Sequence, residues 1–147
     1  MSHTKILIHI VFATKCRENS INPEKKKDLY SYIHGIIVNK KCKTVRINGM
    51  ADHVHILLDL HPSVALADLV KSIKGSSGEW LKSNPNFLKF KGWGRGYYAV
   101  SIGKEEKDVC RNYIMGQESH HSNRELMEEL ETLIKAWEMR WYPDDWD

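Results

Sequence analysis

The sequence predicts an α+β domain built on a four-stranded antiparallel sheet. Three observations carry this reading. Four short segments rich in β-branched and apolar residues are bounded by turn residues, two segments between them show apolar residues at helical spacing, and the elements run in the order β-α-β-β-α-β.

Residues 4–14 (TKILIHIVFAT) read as a central strand, with no basic leader or small-residue cleavage site of a signal peptide. Asn22-Pro23 is a helix start, with Asn as N-cap and Pro at the first helical position. This helix runs to about residue 40 with Leu29, Ile33, Ile36 and Ile37 on one face. Segments 43–49 and 53–60 are two further strands, joined by Gly49-Met50-Ala51-Asp52 as a hairpin. Ser63 is read as the cap of a second helix to about residue 82, with Leu66, Leu69, Val70 and Ile73 at helical spacing. After a Pro/Asn loop, residues 96–102 (GYYAVSI) form the fourth strand. Residues 104–120 and about 123–140 read as helices, with Trp137 and Trp141 as packing anchors. The order matches the split βαβ, or ferredoxin-like, arrangement. Both main helices then cover one face of the sheet, and the other face is free for a ligand or a further helix.

A chain of 147 residues fits one domain, spanning 1–147, and can bury a core without disulfides or a structural metal. No apolar run approaches the roughly 18 residues of a membrane span, so no membrane partner is expected. Cys16, Cys42 and Cys110 form no CxxC pair, and an odd scattered set suggests a reducing, cytoplasmic location. Net charge is only +3, but it is unevenly distributed. Residues 1–104 carry 17 Lys/Arg against 7 Asp/Glu, whereas residues 105–147 carry 5 against 12. A basic body of this kind suits a polyanionic partner such as nucleic acid, and equally a solvated lysine-rich surface.

His53 and His55 stand two apart in a strand, so both point to one face while Val54, Ile56, Leu58 and Leu60 point to the other. Two imidazoles at this spacing can share a divalent metal; one can also serve a local hydrogen-bond network while the other is exposed. Tyr113 and Gln117 are separated by one helical turn and project from one face of a predicted helix. The Gln carbonyl is a hard ligand suited to Mg²⁺ or Mn²⁺, although Tyr and Gln on a surface helix commonly pack and solvate and do nothing else.

Taken together, five blocks in fixed order resemble the IS200/IS605-type Y1 transposases, also called single-strand HUH transposases. They are HIVFATKCR (His9 to Arg17), DHVHIL (Asp52 to Leu57), LVKSIKGSSGEWL (Leu69 to Leu81), GWGRGYYAVSIG (Gly92 to Gly103) and YIMGQESHH (Tyr113 to His121). The resemblance implies that His53 and His55 are the metal-binding histidines, Gln117 the third ligand and Tyr113 the nucleophile. Gly116 stands where similar proteins carry a polar residue, which loosens the helix between nucleophile and ligand. The implied activity is cleavage and rejoining of single-stranded DNA at hairpin-marked element ends through a 5′-phosphotyrosine, with Mg²⁺ or Mn²⁺ as cofactor. The implied assembly is a homodimer with composite active sites, and Ser101 to Lys104 is a candidate hinge for exchange of the tyrosine helix.

Lys15, Arg17, Lys71, Lys74 and Arg95 are candidate DNA contacts. Trp93, Tyr97 and Tyr98 can stack on unpaired bases, or pack in the core or a dimer contact. His120 and His121 match the family pattern without an assigned role. Three alternatives stand beside this reading: a domesticated relative that processes host repeat hairpins, a non-catalytic nucleic-acid-binding module, and a metal-dependent phosphoesterase acting through water.

Overall fold

The computed structural model describes residues 2–117 and 126–146. Its sheet contains β1 (Leu7–Ala13), β2 (Lys43–Met50), β3 (His53–Asp59) and β4 (Tyr98–Ile102) in the order β2-β3-β1-β4. Every pairing is antiparallel. The predicted α+β, four-stranded antiparallel architecture is therefore the observed one.

Period-two alternation divides the sheet residues between two cores. On one face Ile8, Ile10, Phe12, Val54, Ile56 and Leu58 are buried. They pack with Leu29, Ile33 and Ile37 of α1 (Lys26–Asn39) and Leu69, Val70 and Ile73 of α2 (Leu66–Lys82). On the opposite face Val11, Ala13 and Tyr98 are buried with Leu126, Leu130 and Ile134 of the C-terminal helix and with Trp146. That helix, here α4, spans Leu126–Ala136. The second face is thus taken by a further helix, and β1 is buried along its whole length.

Several boundaries differ from expectation for local reasons. α1 begins at Lys26, because the Asn22 side chain accepts from the Glu24 amide at 3.0 Å and makes an Asx turn ahead of the helix. α2 begins at Leu66 and not after Ser63. The His61 Nδ1 accepts from the Ser63 amide at 3.1 Å and lies 2.7 Å from its hydroxyl, so Ser63 belongs to a turn. Of the helix expected over 104–120, the described part holds α3 (Lys107–Met115), ending where the Gly116 amide donates to Asn112 O; 118–120 lie outside the described residues. Trp137 is 45% exposed, so it is not a packing anchor; Trp146 is the buried tryptophan of this region, and Trp141 packs partly against the second core.

Candidate active site

The histidine pair sits at the start of β3, immediately after a two-residue turn at Ala51-Asp52 in which Met50 pairs with His53. This turn is tight enough to require glycine at position 49. A Cβ there would lie 2.2 Å from the His53 carbonyl oxygen. His53 and His55 are fully buried on the α4 face.

Each imidazole is held through Nδ1. The His53 Nδ1–H donates to the Asp52 carboxylate at 2.7 Å. His55 Nδ1 lies 2.9 Å from His9 Nε2 of β1, and the two rings stack with centroids 5.1 Å apart. Burial pushes the His9 pKa down to about 4, so at neutral pH His9 is uncharged. Both Nε2 atoms are thereby turned toward a common point, near Gln117 Oε1 and Glu129 Oε1.

α3 supplies the next two groups. It is fastened to the sheet by Asn48 of β2, whose Nδ2 donates to Ile114 O at 3.0 Å and Met115 O at 3.2 Å. The Tyr113 ring meets His55 edge-on with centroids 5.7 Å apart. Gln117, fully buried just beyond the helix, places Oε1 at 2.9 Å from His53 Nε2. Tyr113 and Gln117 thus meet the histidine pair within one chain. His120 and His121 lie outside the described residues.

A further group, Glu129 of α4, was not anticipated. Its Oε1 accepts from the Tyr113 hydroxyl, lies 3.4 Å from Gln117 Nε2 and lies 3.4 Å from His55 Nε2. Glu129 is 3% exposed, and its pKa is pushed up to about 7 by burial, opposed by His53 and reinforced by Asp52. A signal for it exists in the sequence. Glu129 falls on the apolar stripe of Leu126, Leu130 and Ile134, where a carboxylate is costly unless it has a purpose inside.

These residues fit a divalent cation. The ligand atoms of His53, His55 and Glu129 all lie within 4.8 Å of one another, and Gln117 Oε1 adjoins them. Imidazole nitrogen, amide oxygen and carboxylate oxygen are all lone-pair donors, and their convergence is what a cation satisfies.

The candidate DNA contacts divide between surfaces. Arg17 lines a cleft with Asn19, Asn22, Asn86 and Lys89 that reaches Asp52 beside the site. Lys71 and Lys74 belong to α2, on the sheet face opposite the histidines, where they line a second cleft with Trp93 and Tyr97. Lys74 Nζ donates to Gly94 O at 2.8 Å and Gly96 O at 3.0 Å, and so pins the loop before β4. Lys15 and Arg95 are exposed. The Trp93 indole donates to Ser77 at 3.0 Å and packs edge-on against Phe12, and Tyr98 is buried beside His9; Tyr97 is the exposed aromatic of the three.

The model for the family described as "Transposase IS200 like" matches residues 2–117. The chain belongs to the IS200-like transposase family. A transposase for insertion sequence element IS200 from Salmonella typhimurium is 31% identical over 124 residues, covering 80% of this chain and 81% of the relative. The ISDra2 transposase TnpA of Deinococcus radiodurans is 26% identical over 114 residues, covering 74% and 81% respectively. A crystal structure of a candidate transposase from the same organism superposes with TM-score 0.60 at 25% identity, covering 79% of this chain and 93% of that one. The structure of a REP-associated tyrosine transposase bound to a REP hairpin superposes with TM-score 0.63 at 12% identity, covering 82% and 72%; this likeness concerns the fold alone. As an IS200-like transposase, the protein is a DNA-cleaving enzyme of DNA transposition. The family match contains the histidine pair, Tyr113 and Gln117, and it ends before Glu129. No helix among the described residues of this transposase is long and apolar enough to cross a membrane.

Proposed function

We propose that this transposase cleaves and rejoins single-stranded DNA at hairpin-marked ends, with Tyr113 as nucleophile and His53, His55 and Gln117 as ligands of Mg²⁺ or Mn²⁺. The observation that carries the reading is the meeting of the Tyr113 ring with His55, 5.7 Å between centroids, beside four convergent lone-pair donors. A phosphodiester resists attack because it is anionic, and a divalent ion at these donors supplies the charge that polarises it. Tyr113 Oη forms the bond to phosphorus as the bond from phosphorus to the 3′-oxygen breaks. The phenolic proton is lost and the 3′-oxygen takes one up. The products are a 5′-phosphotyrosine and a free 3′-OH. Attack of a 3′-OH on such a link reverses these bond changes and reseals a strand without an external energy source.

Hairpins are the proposed substrate on the family resemblance, and a transposase of the same fold has been solved bound to one. Arg17, Lys15, Lys71, Lys74 and Arg95 are the proposed cationic contacts to its phosphates. The free, scattered thiols accord with a cytoplasmic location. The proposed assembly is a homodimer with composite active sites, in which the α3 of one copy serves the histidine pair of the other. A site completed within one copy, by its own α3, is the alternative. A domesticated relative would share all of this chemistry and differ in its DNA.

The experiment is incubation with single-stranded DNA from the flanks of its own gene and Mg²⁺, followed by a search for a covalent protein–DNA adduct. The wild type is expected to form it and Tyr113→Phe to lose it. An adduct that persists in Tyr113→Phe would assign the attack to another residue.

A further inference from the structure

The C-terminal helix α4 packs as an ordinary amphipathic helix except at one position. Leu126, Leu130 and Ile134 are buried against Val11, Ala13 and Tyr98, and among them Glu129 carries a carboxylate into a buried face. An ionised carboxylate is stable there only when opposite charge or strong donors compensate it. The groups around its Oε1 are Tyr113 Oη, Gln117 Nε2 and His55 Nε2, and the last of these is turned outward by the His9 contact at Nδ1.

We propose that Glu129 is the carboxylate ligand of the divalent ion held by His53, His55 and Gln117, so that binding of the ion locks α4 onto the sheet. This rests on the reading of the histidine pair as a metal site and adds to it. Residues 2–117 carry the family match, so family membership gives Glu129 no role.

The ligand atoms of His53, His55 and Glu129 all lie within 4.8 Å of one another, close enough to draw in around one cation. Neighbouring ligands around an octahedral Mg²⁺, with bonds of about 2.1 Å, stand about 3 Å apart. The observed edges are 2.9 Å from His53 Nε2 to Gln117 Oε1 and 3.4 Å from His55 Nε2 to Glu129 Oε1. Two nitrogens, an amide oxygen and one carboxylate oxygen would hold the ion, which would supply charge to a phosphodiester beside Tyr113. The charge also changes: His53, His55 and Gln117 are neutral as ligands, whereas Glu129 brings one negative charge, which favours a hard divalent cation.

Linkage then follows. A ligand that binds only when α4 is docked stabilises the docked helix, and docking raises affinity for the ion by the same factor. The acidic C-terminal segment acquires a function in this way, as the cover that completes the metal site.

The test titrates the full chain with MnCl₂ and counts free Mn²⁺ by electron paramagnetic resonance, with hydrogen exchange of residues 126–136 measured alongside. Glu129→Gln keeps the shape and removes the charge. It is expected to weaken Mn²⁺ binding at least about tenfold, and His53→Ala serves as the control for loss of the site. In the wild type, Mn²⁺ is expected to slow exchange in 126–136, an outcome that needs no variant to fold. Unchanged or tighter Mn²⁺ binding in a folded Glu129→Gln chain would overturn the proposal, as would exchange in wild-type α4 that ignores saturating Mn²⁺. Loss of Mn²⁺ binding in neither His53→Ala nor His55→Ala would instead sink the metal-site reading beneath it.

Discussion

His9 Nε2 stands 2.9 Å from His55 Nδ1, and this contact decides which nitrogen of His55 is available to a ligand. Partners of this kind around a metal-binding imidazole set its tautomer and ring orientation. His9→Phe keeps a ring in the buried slot and removes the nitrogen beside His55 Nδ1. We expect Mn²⁺ affinity to fall by about 10- to 100-fold with secondary structure retained by circular dichroism. Affinity equal to wild type would show that His55 needs no such partner.

The turn ahead of the histidines is equally constrained. Gly49→Ala brings a Cβ within 2.2 Å of the His53 carbonyl oxygen, which is backbone and cannot rotate away. The hairpin must shift and carry His53 with it. A destabilisation of about 1–3 kcal/mol is expected in urea unfolding, together with weaker Mn²⁺ binding. A variant with wild-type stability and affinity would show that the turn has slack.

A composite site has a direct consequence. Asn48 of β2 fastens α3 through Ile114 O and Met115 O, and an exchanged α3 can meet the same side chain on a partner copy. A chain carrying His53→Ala and His55→Ala, co-expressed with a Tyr113→Phe chain, is expected to regain adduct formation, since each mixed dimer then contains one intact composite site. Persistent inactivity in purified mixed dimers would show that each copy completes its own site.

The cationic candidates should separate into two kinds. Arg17→Ala and Lys71→Ala are expected to lower hairpin affinity and to reduce the salt slope of binding by about 1 each, and Lys71→Ala to leave the melting temperature unchanged. Lys74→Ala removes the donor to two loop carbonyls, and is expected to cost about 1–3 kcal/mol of stability. Melting curves and affinities at 50 and 200 mM salt distinguish the two. A flat salt response throughout would remove the basic body as the DNA surface.

What was legible in the sequence was whatever depends on local period. Alternation along 53–59 put both histidines on one face and Val54, Ile56 and Leu58 on the other, because successive strand side chains must point in opposite directions. The spacing of Tyr113 and Gln117 brought them near each other even though α3 stops at Met115. Asn22 and Ser63 misled, since the helices are capped at Lys25 and Ala65, because capping and turn formation use the same side-chain atoms and only the neighbours decide between them. Tertiary structure alone decided the rest. His9 joins His55 through the register of β1 against β3, and Glu129 arrives from a helix more than sixty residues away in sequence, by the docking of Leu126, Leu130 and Ile134. Nothing in local periodicity encodes where such a helix lands. A buried carboxylate takes its meaning from the groups it meets after packing, and those groups lie on β3, on α3 and just beyond α3.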